Sequence, residues 1–233
     1  MLRIPGLRPI NCTIPKRTLT IVAAVCAIAF SVLAVYMWSS PRATSIEDRI
    51  SDAITSTHKD AAYRAFDAVG ILGSRGAVAV VAVLLAVFAW WWWRNLRLAV
   101  VCVLAPGLAG LGEIVLKELV GRSRPLTAPL SGESGFGFPS GHATGATALA
   151  VIIVLLAFAG FPRRHPMRAI VVVAVVLYAL AVGVSRVVVG AHFALDVVGG
   201  ALLGTTAALV AILVLLPARA TRSEVVRPLT PRG

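Results

Sequence analysis

Six long apolar segments, separated by shorter polar stretches, dominate the pattern of residues along the chain. Their ranges are 19–38, 76–93, 98–116, 143–161, 169–184 and 193–216. Each is close to the roughly 20 apolar residues that a helix needs to cross about 30 Å of hydrocarbon. The pattern predicts an all-α protein, an integral membrane bundle of six transmembrane helices in one domain over residues 19–216. Residues 1–18 and 217–233 are then terminal tails.

The polar connection between the first two segments has a helical pattern of its own. Between residues 39 and 75, largely apolar residues recur at intervals of three and four, the spacing of one face of a helix. These positions are Ile46, Ile50, Ala53, Ile54, Thr57 and Ala61. We expect an amphipathic outer helix that lies on the membrane surface between spans one and two.

The composition agrees with a membrane protein, since 58% of the residues are hydrophobic and only 14% are charged. In a soluble protein, a net charge of +12 would suggest nucleic acid as a partner. Here the excess lies in the two tails and in the connections 94–97 and 162–168, which hold thirteen of the 22 Lys and Arg residues and one acidic residue, Glu224. By the positive-inside rule these parts face the cytoplasm. We therefore expect a multi-pass plasma-membrane protein with both termini cytoplasmic and no nucleic-acid partner.

The connection between the third and fourth segments combines two cations with a helix start. Lys117 and Arg124 flank a predicted helix end, because Gly121 can end a helix and Pro125 cannot continue one. Either cation alone is typical of a span end or a loop, but together they indicate an anion site. The run Pro139-Ser140-Gly141-His142 then opens the fourth segment. It is ordinary capping sequence, yet exposed backbone N–H groups at a helix start also favour a bound anion, with the histidine beside it.

Ionisable residues also stand between the fifth and sixth segments, where Arg186, His192 and Asp196 are each costly at membrane depth unless paired or hydrated. His192 and Asp196 are four residues apart and share one face if both lie on a helix. The carboxylate can then accept the Nδ1 proton and leave Nε2 as a nucleophile. His142 can serve as general acid and then as general base. Since no carboxylate cluster suggests a metal, we expect a metal-independent reaction without a cofactor.

The connection between the third and fourth segments and the one between the fifth and sixth lie on the same face of the membrane, because two crossings separate them. That face is opposite the basic connections, so the expected site opens to the extracytoplasmic side. Three cations and a helix N-terminus can bind a phosphoryl group and stabilise the charge on its equatorial oxygens. The expected ligand is a phosphate ester.

Three motifs, in this order, resemble the signature of the type 2 phosphatidic acid phosphatase superfamily. They are Lys117-x6-Arg124-Pro125, Pro139-Ser140-Gly141-His142 and Ser185-Arg186-x5-His192-x3-Asp196. The resemblance matches every signature position, and its specificity comes from the joint match. It implies that His192 forms a phosphohistidine intermediate, that Asp196 supports it and that His142 is the acid/base. The phosphate-binding residues that it implies are Lys117, Arg124, Ser140, Gly141 and Arg186.

On this basis we favour a lipid phosphatase whose substrate is a polyprenyl (undecaprenyl or decaprenyl) diphosphate presented at the outer leaflet. A phosphatidylglycerophosphate or phosphatidate phosphatase is the close alternative, because the motifs carry the mechanism and not the substrate. Two more distant alternatives are a vanadate-dependent oxidase with the same anion cradle and a lipid phosphate binder or transporter without turnover. The expected partners are a lipid phosphate and the membrane.

Overall fold

The computed structural model describes residues 14–40, 45–55, 61–128 and 132–216. Within these ranges the chain forms eight α-helices and no strand. They are α1 (Lys16–Ser39), α2 (Ser45–Ile54), α3 (Ala61–Ile71), α4 (Arg75–Trp93), α5 (Leu96–Val120), α6 (Gly141–Gly160), α7 (Met167–Val188) and α8 (Ala194–Leu215). The predicted all-α fold class is confirmed.

Six of these helices, α1 and α4 to α8, are long and apolar enough to cross a membrane, which confirms the six predicted spans. Their ends differ from the predicted ranges by a few residues. Both α5 and α7 continue for one further turn, and these extra turns carry Lys117 and Arg186. The helices can continue there because each cation finds a carboxylate partner, Glu113 and Asp67 respectively. The predicted tails fall largely outside the described residues, although Lys16 already belongs to α1.

The helix ends near the predicted anion site follow from local sequence. Gly121 ends α5 with φ at 64°, a left-handed conformation that glycine adopts without a Cβ penalty. At the start of α4, the Ser74 hydroxyl accepts a hydrogen bond from the Ala77 N–H at 3.3 Å. These helix ends allow the charged loops to turn back across the same end of the bundle.

Small residues bring the central helices α6 and α8 into close contact. A Cβ on Gly200 would lie 2.4 Å from the Ser140 carbonyl oxygen, and one on Gly204 would lie 2.2 Å from that of Thr144. Only glycine therefore permits this approach, as small residues at helix interfaces do in membranes. The contact fixes the start of α6 against the first turns of α8, and the Ser140 N–H donates a 2.9 Å hydrogen bond to the Asp196 carbonyl.

The six spans alternate in direction, so the starts of α4, α6 and α8 meet the ends of α5 and α7 at one end of the bundle, here called the site end. At the opposite end, Lys16 Nζ of α1 lies 3.5 Å from the Leu213 carbonyl oxygen of α8. Trp93, which ends α4, packs there close to Gly160, which ends α6. The crossing count therefore groups the predicted site residues correctly at one end.

The connection between the first two spans contains two short helices. On α2, the apolar residues Ile46, Ile50 and Ile54 are exposed along one face, whereas Ser51 is buried. The helix α3 packs against α7 near Arg186. The predicted amphipathic pattern is thus present in α2, while its position Thr57 lies outside the described residues.

Candidate active site

A cavity of about 560 Å³ lies at the site end between the starts of α4 and α6 and the end of α5. Five of the eight sequence-predicted site residues line it: Lys117, Arg124, Gly141, His142 and His192. The other three, Ser140, Arg186 and Asp196, are buried in the protein and do not line the cavity. The fold thus gathers most of the predicted residues around one space, hereafter the site cavity.

His192 and Asp196 face each other, but not on a shared helix. Because α8 begins at Ala194, His192 lies in the preceding turn and Asp196 in the first helical turn, which corrects the predicted geometry. The reason is that Asp196 Oδ2 accepts a 2.9 Å hydrogen bond from the Phe193 N–H and so caps the helix start. His192 Nδ1 faces the same oxygen at 3.7 Å, beyond hydrogen-bond distance.

The other ring nitrogen of His192 points toward the site cavity. Its Nε2 lies 3.2 Å from Arg124 Nη1, which also donates a 3.0 Å hydrogen bond to the Ala191 carbonyl. We assign the Nδ1–H tautomer, because Nδ1 faces the Asp196 carboxylate and Nε2 faces a guanidinium, so Nε2 must be the acceptor. Burial lowers the pKa of His192 below its usual value, although Asp196 opposes this shift. The neutral ring therefore presents a lone pair toward the cavity.

Glu133 is a carboxylate in the cavity that the sequence interpretation did not use. Its Oε2 lies 3.1 Å from Arg124 Nη2, and its Oε1 lies 3.8 Å from His142 Nδ1. Burial would raise the pKa of Glu133, but Arg124, His192, His142 and Lys117 together lower it. Glu133 therefore contributes a negative charge among the cationic groups of the cavity.

Lys117 is fixed by a second carboxylate that the motifs do not contain. Lys117 Nζ lies 2.6 Å from Glu113 Oε1, one turn earlier on α5, and Arg75 Nη2 lies 3.0 Å from Glu113 Oε2. Glu113 is 1% exposed. A Cβ on Gly141 would lie 2.9 Å from Glu113 Oε1, so Glu113 also requires the glycine at the start of α6.

Ser140 and Gly141 form the start of α6 at the edge of the cavity. The Ser140 side chain is fully buried, and its Oγ has no hydrogen-bond partner among the described residues. A buried hydroxyl without a partner costs free energy. Phosphate binding by Ser140 stays a prediction, because its side chain does not line the cavity. The free backbone N–H groups of a helix start favour the same ligand.

Arg186 is held by α3 at the back of the site. Its Nη2 lies 3.3 Å from Asp67 Oδ1 and 3.4 Å from the carbonyl oxygens of Phe66 and Asp67. A Cβ on Gly70 would lie 1.6 Å from the same nitrogen, so a larger residue at this position of α3 would displace the guanidinium. Phosphate binding by Arg186 stays a prediction, because the guanidinium does not line the cavity.

Charged residues of the site that the sequence interpretation missed include Arg75, Glu113, Arg122 and Glu133. The spacing of Glu113 and Lys117, four residues apart on a predicted helix, was a usable signal. Arg122 stood in a loop beside Arg124 with no pattern that indicates burial, and Glu133 stood in a polar connection. Among the described residues, no group of three or more His, Cys, Asp and Glu side chains has a metal-binding arrangement.

Two histidines, the cations Lys117 and Arg124, and a helix N-terminus around one cavity define a candidate anion-binding active site in a multi-pass membrane protein. Residues 96–219 match the PAP2 superfamily, and the chain belongs to this superfamily. The resemblance drawn from the three motifs is thereby confirmed.

Curated relatives of known name match part of the chain. The chain is 41% identical over 90 residues to phosphatidylglycerophosphatase B of Bacillus subtilis, a match that covers 39% of this chain and 44% of the relative. It is 38% identical over 106 residues to lipid A 1-phosphatase of Rhizobium johnstonii, covering 41% of this chain and 39% of the relative. Each match therefore spans less than half of the relative's length.

A solved structure resembles most of this chain. The transmembrane PAP2-type phosphatidylglycerolphosphate phosphatase of Bacillus subtilis superposes with a TM-score of 0.71 at 27% sequence identity. The superposition covers 81% of this chain and 93% of that chain. The six-span architecture is thus similar to that of a membrane PAP2 protein over nearly the full length of that protein.

Proposed function

We propose that this protein is a membrane phosphatase that removes a phosphoryl group from a lipid through a phosphohistidine on His192. The observation that carries the proposal is the placement of His192 Nε2, which faces the site cavity 3.2 Å from Arg124 Nη1. A phosphoryl group seated there meets the nucleophile and a cation together. Lys117 and the start of α6 form other walls of the same cavity and add charge stabilisation.

In the first step, the Nε2 lone pair attacks phosphorus and the bond from phosphorus to the lipid oxygen breaks. Protonated His142 transfers its proton to the departing oxygen, as general acid. Asp196 stabilises the positive charge that develops on the His192 ring. In the second step, neutral His142 takes a proton from water, the hydroxide attacks phosphorus, and the N–P bond breaks to release inorganic phosphate.

A lipid substrate is supported by the surroundings of the cavity. Its lining includes Ile114, which is exposed on the outside of α5 next to the exposed Leu111 and Val115. In a bilayer these side chains contact lipid, so a head group can enter the cavity while its hydrocarbon chain stays in the membrane. We further propose that this end faces the extracytoplasmic side, because the basic connections lie at the other end.

We favour a glycerophospholipid monoester of the phosphatidylglycerophosphate type as the substrate. The reason is the similarity, in sequence and in structure, to phosphatidylglycerophosphate phosphatase of Bacillus subtilis. Polyprenyl diphosphate is kept as a second candidate. Arg75 supports it, since its largely exposed side chain at the cavity rim can contact a second phosphate.

The test is phosphate release by purified protein in detergent with EDTA, on phosphatidylglycerophosphate, phosphatidate and undecaprenyl diphosphate. We expect turnover of phosphatidylglycerophosphate at the highest kcat/KM, inhibition by vanadate, and a loss of about a thousandfold or more in His192→Ala. Faster turnover of undecaprenyl diphosphate would reverse the preference. If no lipid phosphate is hydrolysed, or if vanadate activates an oxidation, the proposed function is wrong.

A further inference from the structure

Arg122 is a fully buried arginine beside the candidate catalytic pair, outside the three motifs. It is 0% exposed and does not line the site cavity. Its Nη1 donates to Asp196 Oδ1, and its Nη2 donates to Glu47 Oε1 on α2. One guanidinium thus joins the carboxylate that faces His192 to a carboxylate on the amphipathic helix.

The two oxygens of Asp196 have separate partners. Oδ1 accepts from Arg122, whereas Oδ2 accepts from the Phe193 N–H and faces His192 Nδ1. Arg122 therefore fixes the rotation of the carboxylate about its last torsion. That rotation decides whether Oδ2 stays directed at the imidazole ring.

The surroundings hold the arginine itself in place. The Gly137 N–H donates a 2.7 Å hydrogen bond to the Arg122 carbonyl, and the guanidinium carbon lies 5.0 Å from the centre of the Phe193 ring. A buried cation with this environment needs anionic partners to offset its desolvation. Asp196 supplies one and Glu47, whose side chain is 15% exposed, supplies the other.

We propose that Arg122 is a positioning residue for the reaction: it aligns Asp196 on His192, and Glu47 of α2 completes its charge balance. The proposal rests on the proposed function for its kinetic part. A planar, two-pronged guanidinium suits this role because it reaches both carboxylates at once, whereas a lysine ammonium is a single point charge. The helix α2 thereby becomes part of the catalytic apparatus without touching the site cavity.

The kinetic test compares Arg122→Gln and Arg122→Lys in the wild-type and Asp196→Asn backgrounds. Arg122→Gln should lower kcat about 10- to 100-fold, the range found for groups that orient a functional histidine, with KM changed by less than about twofold. Arg122→Lys should retain more activity than Arg122→Gln. In the Asp196→Asn background the same Arg122→Gln change should cost less than about threefold, because its effect passes through Asp196.

Glu47→Gln should lower kcat by about three- to tenfold in wild type and have no effect in Arg122→Gln. Asp48→Asn is the matched control, since it removes the neighbouring charge on an exposed position of α2, and it should keep wild-type kcat. The positioning role is refuted if Arg122→Gln acts equally in both backgrounds, or if it raises KM with kcat unchanged. Equal thermal unfolding midpoints in detergent verify that the variants are folded.

A second readout does not depend on turnover. Nitrogen NMR of ¹⁵N-histidine-labelled protein at about pH 8 reports the tautomer of the neutral His192 ring, with Nδ1–H expected in wild type. Each of the variants Arg122→Gln, Arg122→Lys and Glu47→Gln should show a larger share of the Nε2–H tautomer than wild type. The share should be largest in Arg122→Gln. An unchanged tautomer in Arg122→Gln would overturn the positioning role even if no lipid is hydrolysed. Conversely, a changed tautomer in a protein without turnover would support the positioning and reject the proposed function.

Discussion

His192 is subject to two opposing influences on its protonation. Burial lowers its pKa, Asp196 raises it, and burial has the larger effect. The ring is thus neutral at pH values where an exposed histidine, with a pKa near 6.5, is already charged. For a nucleophile this is favourable, because only the neutral ring has a lone pair on Nε2.

The expected pH dependence follows from the downward shift of the His192 pKa. The acid limb of kcat/KM that belongs to His192 should lie below pH 6.5, and Asp196→Asn should move it to lower pH, because the stabilising carboxylate is gone. The measurement is the pH profile of both proteins on the same lipid, so that ionisation of the substrate cancels in the comparison. A limb that moves to higher pH in Asp196→Asn would show that Asp196 does not raise the pKa of His192, and a wild-type limb above pH 6.5 would show that burial is not the dominant influence.

Single residues of the site differ in how far the sequence could predict them. His142, His192, Lys117 and Arg124 were identified because their residue types and order match a signature. The roles of Arg122 and Glu133 could not be predicted, since both depend on how loops fold across the bundle. The prediction that His192 and Asp196 share a helix was wrong because spacing alone does not show where a helix begins.

At the scale of helices, close packing of α6 against α8 is the main determinant of the site geometry. It places the Ser140 N–H on the Asp196 carbonyl and thereby joins the two motif segments. The spans themselves were predictable, because the six largely apolar segments are 16 to 24 residues long, close to the roughly 20 residues that cross a membrane as a helix. Gly200 and Gly204, four residues apart, form a small-residue pattern that favours a close helix contact, but the pattern does not show which helix is the partner.

Gly204→Ala should destabilise the protein by about 1–3 kcal/mol, because the added methyl group meets the Thr144 carbonyl oxygen. Gly107→Ala on α5 is the control: nothing lies within 4 Å of its Cβ position, and alanine favours helix. Thermal unfolding in detergent measures both. The packing explanation fails if the two variants unfold at the same temperature.

At the scale of the whole molecule, the alternating direction of the spans places the candidate active site and the basic connections at opposite ends of the bundle. The site cavity lies at one end, while the connections that contain Arg94 and Arg163 lie at the other. This arrangement can be predicted from the sequence alone, because connections separated by an even number of spans lie at the same end of the bundle and those separated by an odd number lie at opposite ends. The direction of the bundle in the membrane rests on the basic residues and stays a prediction.

Cysteine labelling in intact cells tests this direction. In a background with Cys12, Cys26 and Cys102 replaced by serine or alanine, Ser134→Cys should react with a membrane-impermeant maleimide and Arg163→Cys should not. After permeabilisation both should react. Labelling of Arg163→Cys alone in intact cells would invert the orientation and place the proposed reaction at the cytoplasmic leaflet.

The contact of Lys16 with the Leu213 carbonyl brings the outermost turns of the first and last spans side by side. The two terminal spans are therefore neighbours, at the end away from the cavity. A short peptide can join them, and the chain can be reopened in the turn at Arg163 and Arg164 without cutting a helix. Such a circular permutant would have the same bundle with a different order of synthesis, so it separates the requirements of membrane insertion from those of the finished fold.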